Sequence, residues 1–226
     1  MSITQNQTPG DPLIARLARI DASSLSDADK NLRVVSPAIR LVNPGVRLLG
    51  RAVTAQANAD LMSVIAALHS AQAGDVLVVA AGSGDRAVAG ELFASEAIRR
   101  GVAGIVIDGL CRDTPTLRRL TLPVYARGAT PIACPAAQVP VTQVSVTIGG
   151  VDISPGDLLL GDDDGIVVGT EAEFAAAIDR AEAIQSGEEA LRAEIVAGTS
   201  LFAAMNYDEH LARLQAGRPS ALSLGI

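Results

Sequence analysis

Arginine and aspartate stand side by side at Arg112-Asp113, shortly after the apolar, β-branched run Ala103–Ile107. An arginine fork holds a carboxylate through two parallel bonds. An aspartate ligates a hard cation or serves as a base. The stretch Asp108-Gly109-Leu110-Cys111-Arg112-Asp113 falls at the carboxyl end of an expected buried strand, which is where open α/β sheets place ligands. A second group, Gly90-Glu91-Leu92-Phe93, falls near the start of an expected helix. A carboxylate there can orient water or a metal while free backbone N–H groups receive an anion. Each group also has a plain structural reading: a surface Arg–Asp pair, and an acid in a helix's first turns.

Three other patterns compete with these. Gly82-x-Gly84-x-x-Ala87 has the dinucleotide-binding spacing, with Asp108 placed to meet a ribose hydroxyl. Its strand is not N-terminal, however, and a second βαβ half is missing. Gly161-Asp162-Asp163-Asp164-Gly165 invites a calcium reading, but the spacing fails the EF-hand pattern and the apolar flanks make it a hairpin turn. Glu188 and Glu189 lie on an expected long helix and read first as a solvated face. Cys111 reads as packing, since no histidine nearby would activate it.

Composition narrows the chemistry. The 226 residues include two histidines, His69 and His210, so one chain cannot build a three-histidine zinc site. Two cysteines, Cys111 and Cys134, make no disulfide framework. Lys30 is the sole lysine among 18 basic residues, and it lies in a polar stretch. Schiff-base catalysis is therefore not expected, and carbonyl chemistry would need another electron sink, most simply a divalent metal. The net charge of −7 and the five aromatic residues argue against nucleic acid as partner. No apolar run is long enough to span a bilayer, and the polar first residues show no secretory signal, so a cytoplasmic protein is expected.

The elements that must position these residues alternate. Asp11-Pro12 opens a helix over 11–22; residues 23–46 read as loop with short pieces. Strands are expected at Leu48–Ala57, Val76–Ala81, Ala103–Ile107 and Leu122–Ala126. Helices between them cover Asp60–Ala71, Val88–Arg100 and Thr114–Leu120. That is a βαβ arrangement around parallel strands. Residues 131–140 read as an irregular crossing and Val141–Ile148 as a strand. Val151–Val168 reads as short antiparallel strands turning at Pro155-Gly156 and Asp164-Gly165. Helices follow over Glu171–Ala197 and Ser200–Leu214. The expectation is one α/β domain over 1–226, with residues 1–10 disordered and C-terminal helices in 171–226.

Taken as a set, several segments resemble the RraA-like family. They are Ala73–Val79, Gly90-Glu91-Leu92, Arg100–Gly109, Arg112-Asp113, Pro123–Gly128, Pro155-Gly156-Asp157 and Gly161–Val168. The likeness covers roughly residues 10–205. It implies a swivelling β/β/α domain with a mixed sheet, like phosphohistidine domains, assembled as trimers or hexamers with sites between subunits. The family holds class II, divalent-metal aldolases of 4-hydroxy-4-methyl-2-oxoglutarate and 4-carboxy-4-hydroxy-2-oxoadipate, and regulators of ribonuclease E activity. The aldolase pattern is an acid, twenty residues, then Arg-Asp; here the acid is Glu91 where Asp is usual. Regulator-type members typically lose the acid after the arginine.

By that resemblance Asp113 would coordinate Mg²⁺ or Mn²⁺, and Arg112 would hold the substrate and its developing enolate. The N–H groups of Leu92 and Phe93, beside Gly90, would receive the 2-oxo acid's carboxylate. Glu91 would hold metal-bound water. A neighbouring subunit's glutamate, best matched by Glu188 with Glu189 as the alternative, would do the same. Pyruvate release and oxaloacetate decarboxylation through one enolate follow. The alternative is a non-enzymatic regulator that masks ribonuclease E by protein contact.

Overall fold

A computed structural model describes residues 11–224 of the chain. The expectation that residues 1–10 lack order lies outside the described residues.

In chain order the elements begin with helix α1 (Pro12–Leu17), helix α2 (Ala22–Ala28), and strands β1 (Arg33–Val34), β2 (Arg40–Leu41) and β3 (Leu48–Gln56). Helix α3 (Met62–Ser70), strands β4 (Asp75–Ala80) and β5 (Ala87–Ala89), and helix α4 (Glu91–Arg100) follow. Next come β6 (Gly104–Asp108), β7 (Leu110–Cys111), helix α5 (Thr114–Leu117), β8 (Val124–Ala126) and β9 (Gly128–Ala129). The last part holds β10 (Val146–Ile148), β11 (Val151–Ile153), β12 (Leu158–Asp162), β13 (Gly165–Gly169), helix α6 (Glu171–Val196) and helix α7 (Tyr207–Gln215).

Eight strands form one mixed sheet in the order β1-β13-β12-β3-β4-β6-β8-β2. Neighbours among β3, β4, β6 and β8 run parallel, while β1, β13, β12 and β2 join antiparallel at the two sides. The α/β expectation with a mixed sheet is borne out. The run Val76–Ala80 is apolar throughout because both faces of β4 are covered. Leu77 and Val79 pack with Val64, Ala67, Ala94 and Ala97 of the helices. Val76 and Val78 pack with Val146, Ile148 and Ile153 of the β10–β11 hairpin. Helices α1, α2 and α6 cover the antiparallel side over Leu158, Leu160 and Val167.

Four expectations need correction. The second C-terminal helix, expected over Ser200–Leu214, begins only at Tyr207, and Leu201–Ala204 is a separate 3-10 turn. The helix expected over 11–22 ends at Leu17, and α2 stands in what read as loop. Asp21 accepts the Ser24 N–H and restarts the helix, and Ala22, Leu25 and Ala28 turn one buried stripe inward despite the polar composition. The strand expected over Val141–Ile148 shrinks to Val146–Ile148, because Gln143 takes a left-handed backbone with φ +54°. The helix expected from Val88 starts at Glu91, and Ala87–Ala89 is a strand instead.

The three acids Asp162–Asp164 form a hairpin turn, as read. Each carboxylate is used locally, Asp162 by the Ala22 N–H, Asp163 by the Gly45 N–H and Asp164 by the Ser23 hydroxyl.

Candidate functional site

A second, three-stranded parallel sheet, β5-β7-β9, repeats the order β4-β6-β8 of the main sheet. Each of the three main-sheet strands leads, after a short break, into its counterpart. That arrangement assembles the site. Ala89 pairs with Cys111, and the Arg112 N–H donates to the Ala89 carbonyl at 3.0 Å. Gly90, the next residue along, is therefore held beside Arg112 and Asp113, although more than twenty residues of chain separate them.

Gly90 is the N-cap of α4 and offers no side chain to cap it. Asp113 does so from outside. Its Oδ2 accepts the Glu91 N–H at 3.1 Å, and Arg112 Nε stands 3.5 Å from the same oxygen. Asp113 reaches back this way because its own backbone is left-handed, φ +59°, at the start of α5, where its side chain makes no cap of its own. The next N–H groups of the α4 first turn, those of Leu92 and Phe93, have no partner among the described residues. The N-terminal end of a helix is electropositive, so two free donors and the Arg112 guanidinium face one small anion-receptive space. Leu92, Phe93 and Arg112, with Leu61, Gly90 and Ala133, line a cavity of about 70 Å³. The side chains of Arg112 and Asp113 are 40% and 34% exposed, so the site opens to solvent.

Thus the structure brings together five expected site residues (Glu91, Leu92, Phe93, Arg112 and Asp113) around Gly90. It does not bring Glu188 or Glu189 to them within one chain. Both are exposed on α6, which packs against α1, α2 and β13, and no hydrogen bond or ion pair links either to the Arg112–Asp113 group.

One carboxylate oxygen is available to a hard divalent cation. Asp113 Oδ1 accepts no hydrogen bond among the described residues and is free to ligate. No three His, Cys, Asp or Glu side chains converge among the described residues. A cation here would rest on one or two carboxylates and complete its shell with water and substrate oxygens, which is the habit of Mg²⁺.

Other candidates fall away. Cys111 is buried, its thiol lies 3.5 Å from the Gly128 carbonyl, and burial pushes it up from the ordinary thiol range. Gly82-x-Gly84-x-x-Ala87 runs into β5, and α4 starts only at Glu91, so those glycines do not present a helix N-terminus to a pyrophosphate.

Sequence reasoning missed Leu61 and Ala133 as lining residues, and Asp60 as their anchor. Asp60 is 1% exposed and accepts N–H groups from Met62, Ala137 and Gln138, which together hold its carboxyl below the usual carboxylate range. Leu61 N–H donates to Pro135 O. A helix cap was legible at Asp60; its grip on the chain at Ala137 depends on a long-range contact with no local signal.

A family model described as "RraA-like: Aldolase/RraA" matches residues 21–168. A protein of Halalkalibacterium halodurans, provisionally named 4-hydroxy-4-methyl-2-oxoglutarate aldolase, is 34% identical over 179 residues, 78% of this chain and 85% of its own length. The crystal structure of Streptomyces coelicolor RraAS2, described as an unusual member of the RNase ES inhibitor RraA family, superposes with a TM-score of 0.72. It is 32% identical and covers 82% of this chain and 99% of its own. The RNA-processing inhibitor RraA from Thermus thermophilis superposes with a TM-score of 0.60 at 30% identity, covering 65% of this chain and 90% of its own. The family match takes in Gly90, Glu91, Arg112 and Asp113 alike, and on that footing the chain belongs to the RraA-like family.

Proposed function

We propose that the chain is a C–C lyase acting on 2-oxo acids with a divalent cation, Mg²⁺ or Mn²⁺. It would cleave 4-hydroxy-2-oxo di- or tricarboxylic acids to pyruvate and a second 2-oxo acid, and decarboxylate oxaloacetate. The observation that carries this reading is the contact of Asp113 Oδ2 with the Glu91 N–H. That contact holds the Asp113 carboxylate and Arg112 beside the first turn of α4, where the Leu92 and Phe93 N–H groups have no partner among the described residues.

Those groups divide the work. Leu92 and Phe93 N–H would receive the substrate's 1-carboxylate. Arg112, whose terminal nitrogens have no partner among the described residues, would hold the 2-oxo oxygen and meet the negative charge that grows there as the C3–C4 bond breaks. Glu91 would hold water at the same end of α4. Asp113 Oδ1 would hold the cation, whose positive charge, when bound, favours the enolate form of the product. Lys30 pairs with Asp27 on the exposed surface and takes no part. The aldolase name of the relative supports the substrate class. A glutamate from a second copy, Glu188, would complete the site in a trimer or hexamer.

A second reading rests on the two solved structures described as an RNA-processing inhibitor and as a member of an RNase ES inhibitor family: a regulator that binds the RNA-degradation enzyme. Its surface need not keep Asp113. The test runs both assays on one preparation. Pyruvate release from 4-hydroxy-4-methyl-2-oxoglutarate and oxaloacetate is followed with EDTA and then with Mg²⁺ or Mn²⁺ restored, beside a pulldown on the ribonuclease scaffold at two salt concentrations. Pyruvate that appears only with the cation supports the lyase. No turnover of either substrate, with salt-sensitive capture of the scaffold, supports the regulator.

A further inference from the structure

A larger crevice than the one behind Gly90 lies elsewhere, at the break between the main mixed sheet and the small parallel sheet. Gln56, Ala80 and Asp108 end β3, β4 and β6 and are register neighbours across the sheet. With Gly82 and Thr147 they line a space of about 280 Å³. That is just below the range for drug-sized ligand sites, roughly 300–1,000 Å³, and the carboxyl edge of parallel strands is where such sites form.

The crevice has an ordered polar lining. Asp108 is fixed on both oxygens, one by Arg127 Nε and the other by the Gly149 N–H at 2.7 Å. A carboxylate has about four acceptor positions, so one on each oxygen stays available. Thr147 donates its hydroxyl to Asp152 at 2.7 Å and keeps its oxygen as an acceptor. Gln56 spends one N–H on Asn58 Oδ1 and keeps a donor and a carbonyl. The rim is held in place by unusual backbone: Asn58 and Ala59 are both left-handed, φ +50° and +58°, and the Ala59 N–H donates to the Ala81 carbonyl at 2.7 Å. Two consecutive non-glycine residues persist in that region only where their surroundings hold them there.

Acceptors on a fixed carboxylate, with a mixed donor and acceptor beside them, suit adjacent hydroxyl groups, each of which gives one hydrogen and takes another. We propose that this crevice, separate from the Arg112–Asp113 site, is a binding site for a ligand with a vicinal diol, of about pentose size. Free sugars and nucleosides share that chemistry, and the test separates them.

Saturation-transfer NMR and titration calorimetry on the intact protein would use D-ribose and 2-deoxy-D-ribose as their methyl furanosides, of which only the ribose has adjacent hydroxyls, and adenosine as probes. Saturable binding of D-ribose is expected, with the deoxy sugar weaker by roughly tenfold for the lost hydroxyl. Thr147→Val and Gln56→Ala, both at accessible positions, should each weaken ribose by a similar factor. Asp108→Asn should do so with its packing kept, and Asp113→Ala should leave binding unchanged. Adenosine tighter than ribose assigns the diol to a nucleoside; equal affinity assigns it to a free sugar. Absence of saturable binding by ribose and adenosine, equal binding of the deoxy sugar, or affinity that survives both Thr147→Val and Gln56→Ala would overturn the proposal. Loss of affinity in Asp113→Ala would place the sugar at the other site and overturn it equally.

Discussion

Gly90 and Asp113 compete for the same space. A Cβ on Gly90 would lie 2.7 Å from Arg112 Cγ and closer still to Asp113 Oδ2. The backbone of Gly90 is extended, with φ −159°, so its conformation alone would admit other residues. Only the approach of the Arg112-Asp113 pair excludes them. Gly90→Ala should therefore push the Asp113 carboxylate off the Glu91 N–H and lower kcat/KM by about 10- to 100-fold. Circular dichroism and Tm, which report the fold, should change little. Activity within twofold of wild type would show that the contact does not matter.

Arg112 should be sensitive to shape as well as charge. Removing a charged hydrogen-bond partner costs about 2–4 kcal/mol, or roughly 30- to 1,000-fold in kcat/KM for Arg112→Ala. Arg112→Lys keeps the charge but loses the fork, and should recover only part of that. Steady-state kinetics on both variants would check this; a fully active lysine variant would reduce the role of Arg112 to charge alone.

The exposed position of Glu188 on α6, away from Arg112 in the chain, gives a test of shared sites. Arg112→Ala and Glu188→Ala, each impaired alone, should complement when co-expressed. If each site takes Arg112 from one copy and Glu188 from another, random mixing of two variant chains leaves about a quarter of the sites intact in a closed, head-to-tail ring. Activity no greater than the average of the separate variants would rule out the shared arrangement.

Asp60 should tie stability to pH. Its carboxyl is lowered chiefly by the Met62 N–H and further by those of Ala137 and Gln138. A depressed folded value means the contribution is complete above the unfolded value of about 3.9 and is lost as pH falls through the folded one. Asp60→Asn should melt lower than wild type at neutral pH, with the gap closing below about pH 4. Thermal melts from pH 3 to 7 would show it. A gap that stays constant with pH would mean the Asn loses packing and not a charged acceptor.

Local patterns made much of the fold legible. The unbroken run at Val76–Ala81 marked a strand covered on both faces, and the apolar flanks of Asp162–Asp164 marked a hairpin. Residue types also pointed to the site, since Arg112-Asp113 and Glu91 are adjacent in space as their chemistry suggested. What could not be read was how they meet. The Ala89–Cys111 pairing, the left-handed turn at Asp113 and the grip of Asp60 on Ala137 join distant segments. Periodicity reports one segment at a time. It took Val88 into a helix because three apolar residues before Gly90 satisfy either period.

The most direct test of the account is pyruvate release by Asp113→Ala at saturating Mg²⁺ or Mn²⁺. That variant loses both the free Oδ1 and the acceptor for the Glu91 N–H, while Asp113 sits 34% exposed at a helix start, outside the core. The account predicts activity at background that added cation does not restore, from a protein whose melting temperature and oligomeric state match wild type. Near-normal pyruvate release from Asp113→Ala would contradict it and place the cation, or the chemistry, elsewhere.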